Sequence, residues 1–248
     1  MPYAEQEITA VRRWSERTFS FVTTRPPGFA FKNGEFVMLG LRPQGKLIPR
    51  AYSIVSTNDD DFLEFLSIHV PDGPLTSQLA QVSKGNPIWI NTKTTGSLTL
   101  GHIRPGRHLY LLATGTGLAP FISLIRAGEV FQAFERVILV HTVRKQQALA
   151  YREELSTRAG KQPLLYVPTV TREPFVLSAR GADLFRQGDL SRLLNLPLPD
   201  PEQDRVMLCG NPNMNREMTQ YLNEQGWTMT NYKGPGNFTV EQAFVLQD

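Results

Sequence analysis

Residues 111–120 read LLATGTGLAP. Gly115, Thr116 and Gly117 follow an apolar run, the pattern of a strand ending in a tight turn whose backbone N–H groups can approach a phosphate. No Lys follows, so the segment is not a P-loop, and Pro120 stands at the third-glycine position of the dinucleotide fingerprint. A proline there suits the first turn of a helix. Two readings stay open at this point: a dinucleotide cradle backed by a helix N-terminus, and an ordinary strand-to-helix turn that holds nothing.

Guanidinium groups bear on which nucleotide. VILVHT is followed closely by Arg144, and the next loops bring Arg172 in TRE and Arg180 in SAR. A dinucleotide lacking a 2'-phosphate calls for an acidic residue near the ribose hydroxyls, whereas Arg forks match the oxygens of a dianionic phosphate. Each arginine alone reads as a solvated surface charge. Their placement on successive strand-end loops is what favours a dianionic phosphate as their ligand.

Nearer the N-terminus, RAYS spans Arg50, Ala51, Tyr52 and Ser53. Two residues apart on a strand, Arg50 and Tyr52 share a face, so one can hold a phosphate while the other stacks on a flat ring and Ser53 meets a ring nitrogen. A plain barrel strand would show the same alternation. VPDGPLTSQL adds a second candidate anion site, a Gly-Pro turn feeding a helix start with the Thr76 and Ser77 hydroxyls at hand.

These residues need elements to hold them. Residues 1–100 alternate turn signals (RPPG, KNGE, RPQGK, STNDDD, VPDG, SKGNP) with short β-rich runs (EFVMLGL, AYSIV, FLEFLSIHV, IWI), the texture of an antiparallel barrel. One helix is expected at PLTSQLAQV, where Leu75, Leu79 and Val82 recur at helical spacing and Thr76 or Ser77 caps the start. From about residue 101 the texture changes to LYLLA, then a helix over GLAPFISLIRAGEVF, then RVILVHTV, helical ALAYREELSTRAG, LLYVPTV, RVMLCG and helical NREMTQYLNEQG. Unalternating apolar strands separated by helices predict a doubly wound parallel sheet over 101–248, with nucleotides at the strand ends.

Composition excludes several classes. The 248 residues are 41% hydrophobic and carry 26 Lys+Arg against 23 Asp+Glu, a net charge of +3 that argues against a nucleic-acid partner. A single cysteine, Cys209, excludes an internal disulfide, an all-cysteine iron-sulfur site and a CxxC pair. The four histidines show no metal-ligand spacing, so no metal is expected, and any electron chemistry requires an organic cofactor. With no long apolar span and a polar start, the expected setting is the cytoplasm, without a membrane partner.

RxYS, DGPLTSxL, GTGLAPF, MLCGNPNM and a terminal VEQAFV, in that order, resemble the bacterial ferredoxin-NADP+ reductases across essentially the whole chain. The resemblance implies an FAD-binding Greek-key barrel at 1–100 and an NADP-binding α/β domain at 101–248 whose tail returns to the flavin. It implies that Arg50, Ala51, Tyr52 and Ser53 bind FAD, with Ser53 near flavin N5 and Ser67, Ile68 and His69 lining the ring through backbone groups. Pro74, Leu75 and Thr76 would hold FAD phosphate, Thr116 would sit where the NADP loop meets the flavin, and Arg144, Arg172 and Arg180 would grip the 2'-phosphate. Cys209 would approach the nicotinamide in a positioning role, and Glu241 would be the active-site carboxylate. Ala243, where plant-type relatives end in Tyr, would cover the other flavin face, and Phe244 would stack on the FAD adenine.

The implied activity is electron transfer between NADP(H), through FAD, and an acidic carrier, ferredoxin or flavodoxin, by a monomer. Arg13, Lys46, Lys84 and Lys93 are candidates for steering the carrier. Alternatives are the reductase component of an oxygenase, a nucleotide-sensing subunit without turnover, and a nucleic-acid-binding barrel.

Overall fold

A computed structural model describes residues 3–242. Ala243 and Phe244 therefore lie outside the described residues. The N-terminal part is one antiparallel sheet of β1 (Tyr3–Arg13), β2 (Thr18–Thr24), β3 (Phe36–Leu41), β4 (Ile48–Ser53), β5 (Phe62–Ile68) and β6 (Pro87–Thr95), ordered β4-β3-β6-β1-β2-β5. β1 pairs with β6 over Tyr3–Glu7 and with β2 over Ile8–Arg13, the pairing changing next to an irregularity between Ile8 and Ala10 that bends the sheet. Alternate residues Phe19 and Phe21, Val37 and Leu39, Leu63 and Phe65, and Ile88 and Ile90 point inward and are buried, so the sheet curls around their side chains.

The expected helix near residue 75 is one turn, α1 (Thr76–Leu79), with Leu75 and Leu79 buried against the barrel core and Val82 half-buried beside them. The expected cap does not form. Thr76 Oγ1 donates to the Val70 carbonyl and Ser77 Oγ to the Gly73 carbonyl, so both hydroxyls fasten the preceding turn instead of the helix start.

The second layer is a parallel sheet ordered β11-β10-β7-β8-β9, from β7 (His108–Thr114), β8 (Arg136–Val143), β9 (Leu164–Val170), β10 (Arg205–Gly210) and β11 (Phe238–Gln242). Its faces separate by residue parity. Leu109, Leu111, Val137, Leu139, Met207 and Cys209 face α2 (Ala119–Ala127), α3 (Val130–Ala133) and α4 (Arg152–Ala159). Tyr110, Leu112, Ile138, Val140, Val206 and Leu208 face α5 (Gly181–Arg186), α6 (Asp189–Leu194) and α7 (Pro212–Glu224). The barrel packs on the first of these faces, since Val55, Leu66 and Leu98 share its core.

Two predicted helices are shorter than their sequence pattern. GLAPFISLIRAGEVF breaks at Gly128, whose φ of 83° ends α2 in the left-handed region before α3 begins. In ALAYREELSTRAG, Tyr151 holds φ 58° and ψ 15°, so α4 starts only at Arg152. A left-handed, buried aromatic residue is strained, and its neighbours must hold it there.

Candidate functional site

Apart from the isolated Ile54–Phe65 bridge, β4 pairs only with β3 and β5 only with β2 among the described strands. The two sheet edges therefore face each other across an incompletely closed seam. Tyr52 bridges it, its hydroxyl 3.1 Å from Ser67 Oγ, with Phe21 and Phe65 edge-on to its ring. Burial pushes the Tyr52 hydroxyl up to about 12, so it stays protonated. Continuing the antiparallel register, Arg50 and Ala51 lie opposite His69 and Ile68, where no strand pairing joins the edges. Arg50 and Ala51 are exposed, and Ser53, Ile68 and His69 are half-buried. Free edge N–H and C=O groups beside an exposed guanidinium suit a flat heterocycle bearing a phosphate tail. Tyr52 itself is only 9% exposed, so the stacking expected of it has a narrow rim to use.

Pro74, Leu75 and Thr76 follow β5 by a few residues; Pro74 is exposed and Leu75 buried. The turn into α1 is tied back to Val70, two residues past β5, by the Gly73 N–H and the Thr76 hydroxyl, and the Ser77 hydroxyl is engaged at Gly73.

On the parallel sheet, chain order reverses between β7 and β10, the position where open α/β sheets leave a crevice at their C-terminal ends. Gly115–Leu118 forms a 3-10 turn at the end of β7 and passes into α2 with Pro120 in its first turn, as the sequence predicts. Gly117 serves close approach: a Cβ there would stand 2.1 Å from the Cys209 carbonyl oxygen of β10. Asn211, just after β10, donates its N–H to Thr114 Oγ1 at 2.7 Å and caps α7 through its side chain, which accepts from Asn213 and Met214. The two strand-end loops are thus tied to each other, and Thr116 sits half-buried on their shared rim.

His141 lies beneath this turn. It is wholly buried at the end of β8, and its Nε2 is 3.2 Å from the Gly115 carbonyl, which can only accept, so Nε2 carries the proton. Burial lowers the imidazole to about 4, leaving it neutral, and Nδ1 finds no partner among the described residues.

The three arginines gather at the ends of β8 and β9. Arg172 donates its backbone N–H to the Arg144 carbonyl, and Gly181, next to Arg180, donates to Thr142 Oγ1 on β8. All three side chains are exposed.

Cys209 is buried and pairs in register with Ala113 on one side and Glu241 on the other. Burial, then the Glu241 charge, raises its thiol, so it remains un-ionised and serves as packing and as a carbonyl contact. The half-buried Glu241 carboxylate turns toward the barrel, accepting from Ser97 N–H, from Ser97 Oγ at 3.1 Å and from the Leu98 N–H. Burial raises its carboxyl, the Ser97 and Leu98 hydrogen bonds oppose this, and nearby Glu35 adds to it.

Sequence reasoning missed Ser97 and His141 as parts of this region. Ser97 carries no signal, because its role comes from a strand 144 residues away. His141 had one: a lone imidazole at the end of the apolar run VILVHT. Among the described residues no group of three metal-ligating side chains occurs, and no helix is long and apolar enough to cross a membrane.

Residues 7–98 match the oxidoreductase FAD-binding domain family and residues 111–220 the oxidoreductase NAD-binding domain family. A ferredoxin-NADP reductase of Pseudomonas aeruginosa is 44% identical over 97% of both chains. A flavodoxin/ferredoxin-NADP reductase of Rhodobacter capsulatus is 41% identical over 97% of this chain and 93% of its own. A ferredoxin NADP+ reductase from Neisseria gonorrhoeae, crystallised with FAD and NADP, has a TM-score of 0.92 at 30% identity, over 98% of this chain and all of that one. With a barrel and a switch-point loop of the right kind in one chain and full-length identity of this order, the chain belongs to the ferredoxin-NADP reductase family.

Proposed function

We propose that this chain is an FAD-dependent reductase that passes electrons between NADP(H) and ferredoxin or flavodoxin. An FAD-binding unit would span 1–100 and an NADP-binding unit 101–248. One observation carries the reading: Leu66, beside Ser67 on the open edge of β5, and Leu118, closing the Gly115–Leu118 turn, pack in a single buried cluster with Cys209. A heterocycle on the barrel seam and a dinucleotide at the switch point would therefore be neighbours.

The residues fit the cofactors. The unpaired edges of β4 and β5 offer the flavin ring backbone hydrogen-bonding groups at Ala51, Ser53 and Ile68, whereas the His69 N–H is already given to the Arg17 carbonyl; Arg50 offers a charge for pyrophosphate. Pro74, Leu75 and Thr76 would complete the phosphate contacts. Thr116 would stand between the two ligands, and Arg144, Arg172 and Arg180 would receive the 2'-phosphate. Bound FAD supplies the exchange between a two-electron hydride and single electrons. The protein orients the partners, and Glu241, with its raised carboxyl, can hold a proton at the edge of the site.

Arg13, Lys46, Lys84 and Lys93 are exposed on the barrel and suit an acidic carrier, although Arg13 is tethered to the Ala80 carbonyl. A cytoplasmic monomer is the expected setting. The test is direct. Purified protein with FAD should be yellow, bleach anaerobically with NADPH faster than with NADH, and then reduce flavodoxin or ferredoxin. A protein that binds FAD but is not bleached by NADPH would overturn the reading.

A further inference from the structure

On the side of α2 away from the dinucleotide turn, a second polar cluster joins the two layers. Arg126, in the last turn of α2, reaches Glu64 of the barrel strand β5 (Nη1 to Oε2, 2.6 Å) and Glu154 of α4 (Nη2 to Oε2, 2.8 Å). Tyr151 donates its hydroxyl to the other Glu64 oxygen at 2.7 Å. Trp14 of the barrel packs at a tilt of 47° against the Tyr151 ring with centroids 4.5 Å apart. Three residues before Arg126, Ser123 donates to the Ser56 carbonyl of the barrel at 2.8 Å.

Stability does not explain this cluster. Arg126 and Glu64 are 16% and 12% exposed, and burying such a pair costs about as much in lost hydration as its attraction returns. The cluster also holds Tyr151 in its left-handed conformation, a local cost, and Glu64 and Trp14 are the barrel groups that keep it there. What such a network does supply is a unique geometry.

The two pinned elements are those that carry the site. β5 runs from Glu64 to Ser67 and Ile68 on the open seam. α2 runs from the Gly115–Leu118 turn to Arg126, about 13 Å for nine residues. A small rotation at Arg126 is carried by this rigid helix to the dinucleotide turn.

We propose that Glu64, Arg126 and Tyr151 are positioning residues that lock the barrel and the parallel sheet in the one orientation that sets the flavin seam against the dinucleotide turn. The proposal rests on the functional reading above for its catalytic consequence, and on geometry alone for the lock itself.

The test uses holoenzyme carrying spin labels at Lys84→Cys on the barrel and Gln220→Cys on α7; both sites are exposed, while native Cys209 is buried. Pulsed EPR should give one narrow distance in the parent. In Tyr151→Phe, which deletes a single oxygen, and in Glu64→Gln, the distribution should broaden. Stopped-flow reduction of the flavin by NADPH should slow about tenfold in both while NADP+ affinity stays within about twofold, and Arg126→Lys should slow it less than Arg126→Ala. An unchanged distance distribution in Tyr151→Phe, or an unchanged reduction rate with only a lower Tm, would overturn the proposal. Should the parent flavin not be reduced by NADPH at all, the functional reading fails, and the EPR distances still decide the lock.

Discussion

Glu241, on the outermost strand of the parallel sheet, accepts hydrogen bonds from the N–H and hydroxyl of Ser97 at the exit of the barrel, 144 residues earlier in the chain. The same residue pairs in register with Cys209. Its carboxylate ties the closing strand to the barrel exit, and its backbone ties that strand to Cys209.

Glu241→Gln keeps an acceptor oxygen for Ser97 but cannot titrate. The variant should fold normally and lose about tenfold or more in turnover with a one-electron acceptor. Because burial raises the Glu241 carboxyl, the parent pH–rate profile should show a limb above the ordinary carboxylate range that is absent from the variant. A profile identical in both would remove Glu241 from the proton path.

His141 makes stability depend on pH. Its folded value of about 4 lies below the unfolded 6.5, so the unfolded chain takes up a proton first as pH falls. The contribution is present above 6.5 and is lost progressively down to about 4, a drop on the order of 3 kcal/mol. Urea unfolding at pH 7 and pH 5 should show about 2 kcal/mol of this loss in the parent and a smaller change in His141→Gln.

Arg144→Ala should weaken NADPH binding about thirtyfold, the loss of one charge-assisted contact of about 2 kcal/mol, and leave NADH nearly unchanged. Titration of both nucleotides onto the holoenzyme measures it. Equal losses would show that Arg144 does not read the 2'-phosphate.

Gly117→Ala would push a methyl to 2.1 Å from the Cys209 carbonyl, a backbone atom between two strands that cannot swing aside. The loops must part, costing about 1–3 kcal/mol of stability and loosening the dinucleotide turn. A thermal melt and an NADP+ titration should both register it. An unchanged variant would mean that the close approach is dispensable.

Much of this was legible in the chain. Short β-rich runs between turn signals, such as FLEFLSI, declared barrel strands, and the unalternating LYLLA and RVMLC declared strands buried on both faces. RAYS and GTGLAP landed on the seam and on the switch-point turn. Local misreadings came where tertiary contacts overrode propensity: the Thr76 and Ser77 hydroxyls found nearer carbonyls than the helix start, and Tyr151 gave up a helical turn to reach Glu64.

The order of apolar and polar residues along the chain was enough to determine both layers and the loops that end in them, because hydrophobic periodicity and turn chemistry are local properties. Glu241 meeting Ser97, Gly117 meeting Cys209, and Arg126 meeting Glu64 were decided only by the packed structure. These contacts join residues dozens to more than a hundred positions apart, and a side chain's neighbour at that distance is set by how whole layers stack, which no short stretch of sequence encodes.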